Sequence, residues 1–358
     1  MLILEYWSGQ VVDVYLSRAK PRILIISPNW IGDAVMAQPL LHRLKQIHPD
    51  CLIDVMAPAW VAPVWRAMIE VDTVMESNFK HGALQLCERI ALARKLKQLG
   101  YADAYVLPNT FKFALIPWLA GIRRRIGYRG GMRYGLLNVI HRDEGGKPRP
   151  MVSFYAALAD LPTQQAADLS TQQRPTMHVS REQKIQTAAQ FGLLQDRTLL
   201  AFAPGSEFGS AKRWPTTHFA KIAQTVLQQF PTAQVILLGS GADKLVCDEI
   251  ESMTPAVINL AGKTTLDQAI ALIACTDAVV SNDSGLMHIA SALNRPVIAI
   301  YGSTDPDHAP PLSDLLSSLS LRLECSPCRK RECPLGHHNC MKGITPDMLQ
   351  DALWPLLR

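Results

Sequence analysis

Apolar runs rich in Ile, Val and Leu recur from one end of the chain to the other, and each is followed by a stretch with the apolar spacing of an amphipathic helix. This alternation leaves few folds open. A strand with no polar alternation has to be covered on both faces, and parallel sheets with helices on either side meet that demand. The chain therefore reads as α/β. In the first half strands are expected at residues 22–27, 51–56, 73–76, 104–107 and 124–126, with helices over 33–48 and between 83 and 99. A polar stretch between Leu161 and Val179 interrupts the pattern. The alternation then resumes, with strands expected at 199–203, 234–238, 256–258, 278–281 and 297–301.

At 358 residues the chain is about twice the usual domain size, so two domains are the natural division. We expect an extension at 1–21, a Rossmann-like domain at 22–165, a linker at 166–179 and a second Rossmann-like domain at 180–358. Apolar stretches such as 269–275 and 296–301 fall far short of the roughly 20 residues that cross a bilayer. No transmembrane helix is expected. Glu5 and Asp13 precede Arg18, Lys20 and Arg22, the wrong order for a secretory signal, and cytoplasmic residence follows as an expectation.

Charge is shared unevenly. Through Pro175 there are 21 Lys and Arg against 14 Asp and Glu, whereas the remainder has 15 against 17. A basic first half suits an anionic partner, and an ordinary solvated face explains it equally well. The sequence holds no zinc-finger, helix-turn-helix or RNP pattern, so nucleic acid is not expected as that partner. Four of the eight cysteines, Cys51, Cys87, Cys247 and Cys275, are scattered and read as small buried groups. The others, Cys325, Cys328, Cys333 and Cys340, crowd together beside His337 and His338 at a spacing unlike a standard paired zinc knuckle. A structural cysteine-rich loop is the preferred reading, with zinc or redox pairing as the alternative. No metal is assigned there, nor at Asp305-Pro306-Asp307, where a proline turn follows a strand.

In doubly wound sheets ligands sit beyond the carboxyl ends of the strands, so three strand-to-helix turns attract attention. The first, Ser27-Pro28-Asn29-Trp30-Ile31-Gly32-Asp33, puts Asp33 at a helix start, where a carboxylate is either a routine cap or a base at the crevice floor. The second runs from Ala203 to Pro215. Its glycines and Ser206 permit close approach to phosphate, and Lys212 supplies a positive charge, although an exposed surface lysine fits the same spacing. The third, Asn282-Asp283-Ser284-Gly285-Leu286-Met287-His288, offers the free N–H groups of Ser284, Gly285 and Leu286 as a diphosphate seat. Asp283 is a helix cap or a partner for sugar hydroxyls. His288 is a buried histidine or a phosphate neighbour.

Taken together, and in this order, these turns closely resemble the ADP-heptose:lipopolysaccharide heptosyltransferases of glycosyltransferase family 9. The likeness runs from about Arg22 to Leu353 and includes Lys-Arg-Trp-Pro at the end of the second turn, Tyr-Gly-Ser-Thr-Asp-Pro and the terminal cysteine segment. Asn29-Trp30 and the cysteines look most like the branch that adds the second heptose of the inner core. Branches with a different acceptor, adding the first or third heptose, are the alternatives, and a non-catalytic nucleotide-sugar-binding protein is another. The resemblance implies a GT-B architecture, two Rossmann-like domains with parallel sheets facing a crevice, and an inverting transfer that needs no cofactor. It implies Asp33 as catalytic base, with Ser206, Lys212, Asp283, Ser284, Gly285, Leu286 and His288 around the donor ADP-heptose. By the same analogy adenine rests near Leu260, Gly262 and Thr264. The acceptor would be heptosylated Kdo-lipid A, met by Asn29, Lys112, Arg123, Arg125 and Arg129 at the cytoplasmic face of the inner membrane. Such an enzyme would touch that membrane peripherally and act as a monomer.

Overall fold

The computed structural model describes residues 20–80, 82–143, 150–162, 174–194 and 196–357. Most of the expected extension and residues 166–173 of the expected linker lie outside the described residues. The first half carries strands β1 (Arg22–Ile26), β2 (Leu52–Pro58), β3 (Thr73–Ser77), β4 (Asp103–Val106), β5 (Arg124–Tyr128) and β6 (Val139–His141). The second carries β7 (Leu199–Ala203), β8 (Gln234–Leu237), β9 (Ile258–Asn259), β10 (Ala278–Asn282), β11 (Val297–Tyr301) and β12 (Leu316–Ser320). The first six form one sheet in the order β3-β2-β1-β4-β5-β6, and the rest form a second in the order β12-β11-β10-β7-β8-β9. Every pairing is parallel. Counted from its own first strand, each sheet has the doubly wound order whose reversal point opens a crevice, between β1 and β4 and between β7 and β10.

Strand periodicity sorts the side chains by face. In β1, Ile23 and Ile25 enter one apolar cluster while Leu24 and Ile26 enter another on the opposite side of the sheet. In β7, Leu199 and Ala201 enter that first cluster, and Leu200 and Phe202 enter a third. The inner faces of both sheets thus drain into one continuous core, through the helices that lie between them. The Ile31–Met36 helix packs on the Gly285–Ala292 helix, and the Ala62–Arg66 helix packs on Leu266–Ile273. Residues 174–179 pass between the halves and bond to both. Met177 N–H donates to Ala292 O at 2.9 Å and His178 N–H to Ala67 O at 2.7 Å.

Four details depart from the sequence reading. The expected helix over 33–48 is two helices, Ile31–Met36 and Gln38–Ile47, because Pro39 in the first turn of the second has no N–H to continue the ladder. The strand expected at 256–258 begins only at Ile258. Neither β6 nor β12 was anticipated. The former is three residues long, and the sequence Leu-Ser-Ser-Leu-Ser of the latter lacks the branched apolar run of a covered strand.

Ile25 is fully buried at the centre of the first sheet, whereas Ile47 is 50% exposed. Ile25→Ala should cost about 2–5 kcal/mol and Ile47→Ala within about 0.5 kcal/mol, read from urea unfolding midpoints.

Candidate active site

The first turn leaves β1 through Ser27, whose hydroxyl accepts from Trp65 Nε1 at 2.7 Å and donates to Pro28 O at 2.7 Å. That buried anchor fixes the path of Asn29 and Trp30, both exposed. Asn29 O accepts from Trp60 Nε1 at 3.1 Å. Trp30, in extended conformation, is the cap residue of the Ile31–Met36 helix. Asp33 is therefore the third helical residue and caps nothing, which removes the capping alternative. Its carboxyl is largely buried, and that desolvation raises its pKa to about 6. A hydrogen bond from Tyr155 and the charge of Lys212 pull the other way, while Asp283 adds to the rise. Asp33 thus lies within electrostatic reach of residues from the second half.

The second turn is tightly braced. A side chain on Gly205 would collide with Asp243, whose Cγ lies 2.2 Å from the ideal Cβ position. Asp243 Oδ2 in turn accepts from Ser240 N–H and Oγ–H at 3.0 and 2.8 Å. Ser206 is buried with its hydroxyl unpartnered among the described residues. Lys212 Nζ meets Asp283 Oδ2 at 2.6 Å and lies 5.0 Å from the centre of the Phe208 ring. Trp214 is fully buried and donates from Nε1 to Ile344 O at 2.7 Å.

Asn282 staples the second turn to the third. Its Oδ1 accepts from Trp214 N–H at 3.1 Å, and its Nδ2 donates to Pro204 O at 2.6 Å. Beyond it, Ser284 rather than Asp283 is the cap residue of the Gly285–Ala292 helix, so Asp283 is free of that duty and pairs with Lys212. Ser284, Gly285 and Leu286 are partly exposed, and as the opening of a helix their N–H groups have no carbonyl within it. The starts of the two helices touch. The ideal Cβ of Gly285 would lie 2.7 Å from Ile31 Cγ2, and that of Gly32 would lie 2.9 Å from His288 Cδ2. His288 is fully enclosed, and burial lowers its pKa to about 4, so the ring is neutral at pH 7.

Other expected residues separate into two groups. Gly262 is exposed in a left-handed turn over Gly241, and Thr264 is half-buried. Leu260 is buried in the core, with its N–H bonded to Leu237 O and its carbonyl to Lys263 N–H. Lys112, just after β4, and Arg129, just after β5, stand at the carboxyl end of the first sheet. Lys112 Nζ donates to Gly82 O, and Arg129 Nε donates to Tyr134 Oη at 3.2 Å. Arg123 and Arg125 are a correction: they stand at the amino end of β5, the far edge of the sheet from the crevice. Arg125 spends its guanidinium on Leu136 O and Ile122 O, at 2.5 and 2.6 Å. Arg133 is buried and donates to Pro108 O at 2.9 Å, Asn109 Oδ1 at 2.6 Å and Tyr128 O; desolvation lowers its pKa to about 10. Asp307 and Asp305 pair with Arg322 and Arg329 at 3.0 and 3.5 Å.

Tyr155, Asn282 and Asp243 were given no role from sequence. Asn282 adjoins Asp283 in a quoted motif, but nothing linear shows that its amide joins two turns. Tyr155 reaches Asp33 from a helix with no motif of its own.

The model of glycosyltransferase family 9 (heptosyltransferase) matches residues 89–339. The chain is 43% identical over 345 residues to lipopolysaccharide heptosyltransferase 2 of Escherichia coli (strain K12), covering 94% of this chain and 98% of that protein. It is 42% identical over 346 residues to lipooligosaccharide heptosyltransferase 2 of Haemophilus influenzae (strain ATCC 51907 / DSM 11121 / KW20 / Rd), covering 94% and 99%. Among solved structures it matches E. coli ADP-heptose LPS heptosyltransferase II with a TM-score of 0.84 and 40% identity, covering 94% and 98%.

An aspartate whose folded pKa is raised to about 6 weakens the fold once ionised. Its penalty is absent below the unfolded value, grows as pH rises, and is complete above about 6. Asp33→Asn should therefore stabilise the protein at pH 7.5, by on the order of 2 kcal/mol, and far less at pH 4. Thermal melts of both proteins across that range test this, and an equal difference at both pH values contradicts it.

Proposed function

The chain belongs to glycosyltransferase family 9, and from that premise we propose that it acts as a heptosyltransferase 2, moving heptose from ADP-heptose onto the first heptose of the lipopolysaccharide inner core. Its two doubly wound sheets face a crevice in the GT-B manner. The observation that carries the mechanism is that Asp33, from the first sheet, shares one electrostatic neighbourhood with Lys212 and Asp283, from the second.

In this reading the acceptor hydroxyl attacks the anomeric carbon of the donor from the face opposite ADP. Its proton passes to Asp33, the new C–O bond forms, and the electron pair of the breaking C–O bond leaves with the β-phosphate of ADP. The configuration inverts. Lys212, Ser206 and the N–H groups of Ser284, Gly285 and Leu286 hold the diphosphate where its charge grows, which lowers the barrier without a cofactor. Asp283 engages sugar hydroxyls, Gly262 and Thr264 border adenine, and His288 backs the seat from behind Gly32. Asn29, Lys112 and Arg129 meet the heptosylated Kdo-lipid A acceptor. We place the enzyme in the cytoplasm, as a monomer in peripheral contact with the inner membrane; among the described residues no helix is long and apolar enough to cross one.

Incubation with ADP-heptose and a one-heptose acceptor should yield a product heavier by one heptose. Asp33→Asn should keep donor binding while turnover falls at least about a hundredfold. Unchanged turnover removes Asp33 from its role. Panels carrying acceptors with no heptose or with two separate this activity from its siblings, and donor binding without any transfer supports the non-catalytic alternative.

Asp33 must be ionised to accept the proton, so kcat/KM for the acceptor should fall about tenfold per pH unit below about 6 and level off above it. A profile flat from pH 5 to 8 speaks against this base.

A further inference from the structure

Cys325, Cys328, Cys333 and Cys340 converge although the sequence spreads them over an irregular segment and the helix Asn339–Lys342. All four are free thiols. Together with His337, His338, Ser303 and Ala211 they line one cavity. Two features mark that cavity as more than a packing gap.

Ser303 is 1% exposed, lines the same cavity and has no hydrogen-bond partner for its hydroxyl among the described residues. A ligated sulfur is the acceptor that this donor would face. The segment between Leu321 and His338 also has neither helix nor strand, and only Leu321 and Leu323 pack against the core, while Leu335 is 61% exposed. Ordering each residue costs about 1–2 kcal/mol, and a segment that buries so little has to be held by other means.

We propose that the four sulfurs bind one thiophilic divalent cation of the zinc or iron kind, and that this ion braces the loop carrying Lys212. Among the described residues no three candidate ligands close on one point at coordination distance, so the side chains must turn inward as the ion enters. Each ligating thiol gives its proton to solvent. Four sulfur ligands suit a tetrahedral site and disfavour calcium or magnesium.

The brace is visible in the contacts. Arg331 O accepts from Ala211 N–H at 3.0 Å and lies 2.2 Å from where a Cβ on Gly209 would be, so only glycine fits there. The Arg331 guanidinium lies 5.5 Å from the centre of the Phe208 ring, which Lys212 also approaches. Arg329 N–H donates to Ser303 O at 2.7 Å. The effect on ADP rests on the role proposed for Lys212; the ion site does not.

Untagged full-length protein, purified under reducing conditions, is analysed for zinc and iron, then titrated with an organomercurial while a chromophoric chelator reports released metal. About one ion per chain, released as the thiols react, is the expected result, with retained metal at least tenfold lower in Cys328→Ser and Cys333→Ser. The mercurial titration uses native protein, so it stands even where a variant fails to fold. Protein that holds no stoichiometric metal, either as purified or after incubation with zinc chloride and reductant, overturns the site. So do disulfides among the four cysteines in native protein handled without reductant. Removing the ion should weaken ADP binding at least about fivefold, and an unchanged ADP affinity overturns the bracing role. The metal readout is independent of heptose transfer, so the two readings fail separately.

Discussion

The site depends on two helices meeting start to start, each from a different sheet. Gly32 lies under His288, and Gly285 lies under Ile31, so close that neither position has room for a methyl group unless a neighbour moves. This contact brings Asp33 to Lys212 and Asp283. It also sets two partial positive charges near each other, since each helix start is the positive end of a dipole. Such a meeting is unfavourable alone. Two carboxylates, Asp33 and Asp283, are stationed there, where the field favours negative charge.

The same geometry explains why the Asp33 carboxyl is unusual. Asp33 is deprived of solvent by the closeness of the halves, and that desolvation outweighs Tyr155 and Lys212 combined, leaving a carboxyl with a pKa of about 6. Such a group releases its proton near neutrality yet remains a better base than an exposed aspartate. Fold stability and proton affinity are therefore exchanged at one residue.

Much of this was legible in the amino acids, and the failures have physical causes. Apolar runs covered on both faces announce themselves, so β1, β7 and β11 were found, whereas edge strands such as β6 and β12 need no such run. Local turn chemistry located the crevice because strand-to-helix connections are contiguous. What a linear reading cannot supply is which end of a strand a residue occupies relative to a ligand. Arg123 and Arg125 look like anion binders beside Arg129, yet a single strand length puts them on the opposite rim. Arg133 and Arg89 show where some of the positive charge goes. Arg133 is spent on carbonyl groups, and Arg89 is held by Leu84 O, Lys112 O and the rings of Phe79 and Phe113, 4.1 and 5.3 Å away. Part of the basic surplus of the first half is thus internal scaffolding.

The strap formed by Met177 and His178 bears on motion. Neighbouring peptides are pinned to opposite lobes, one to Ala292 and the other to Ala67. Any swing of one lobe against the other must then be absorbed as torsion around those two residues or break one of their bonds. The bond to Ala292 sits at the last residue of the helix that begins at Gly285, so even a small twist there is carried along the helix axis to that glycine. A twist at the strap is thus geared to the place where Gly285 meets Ile31.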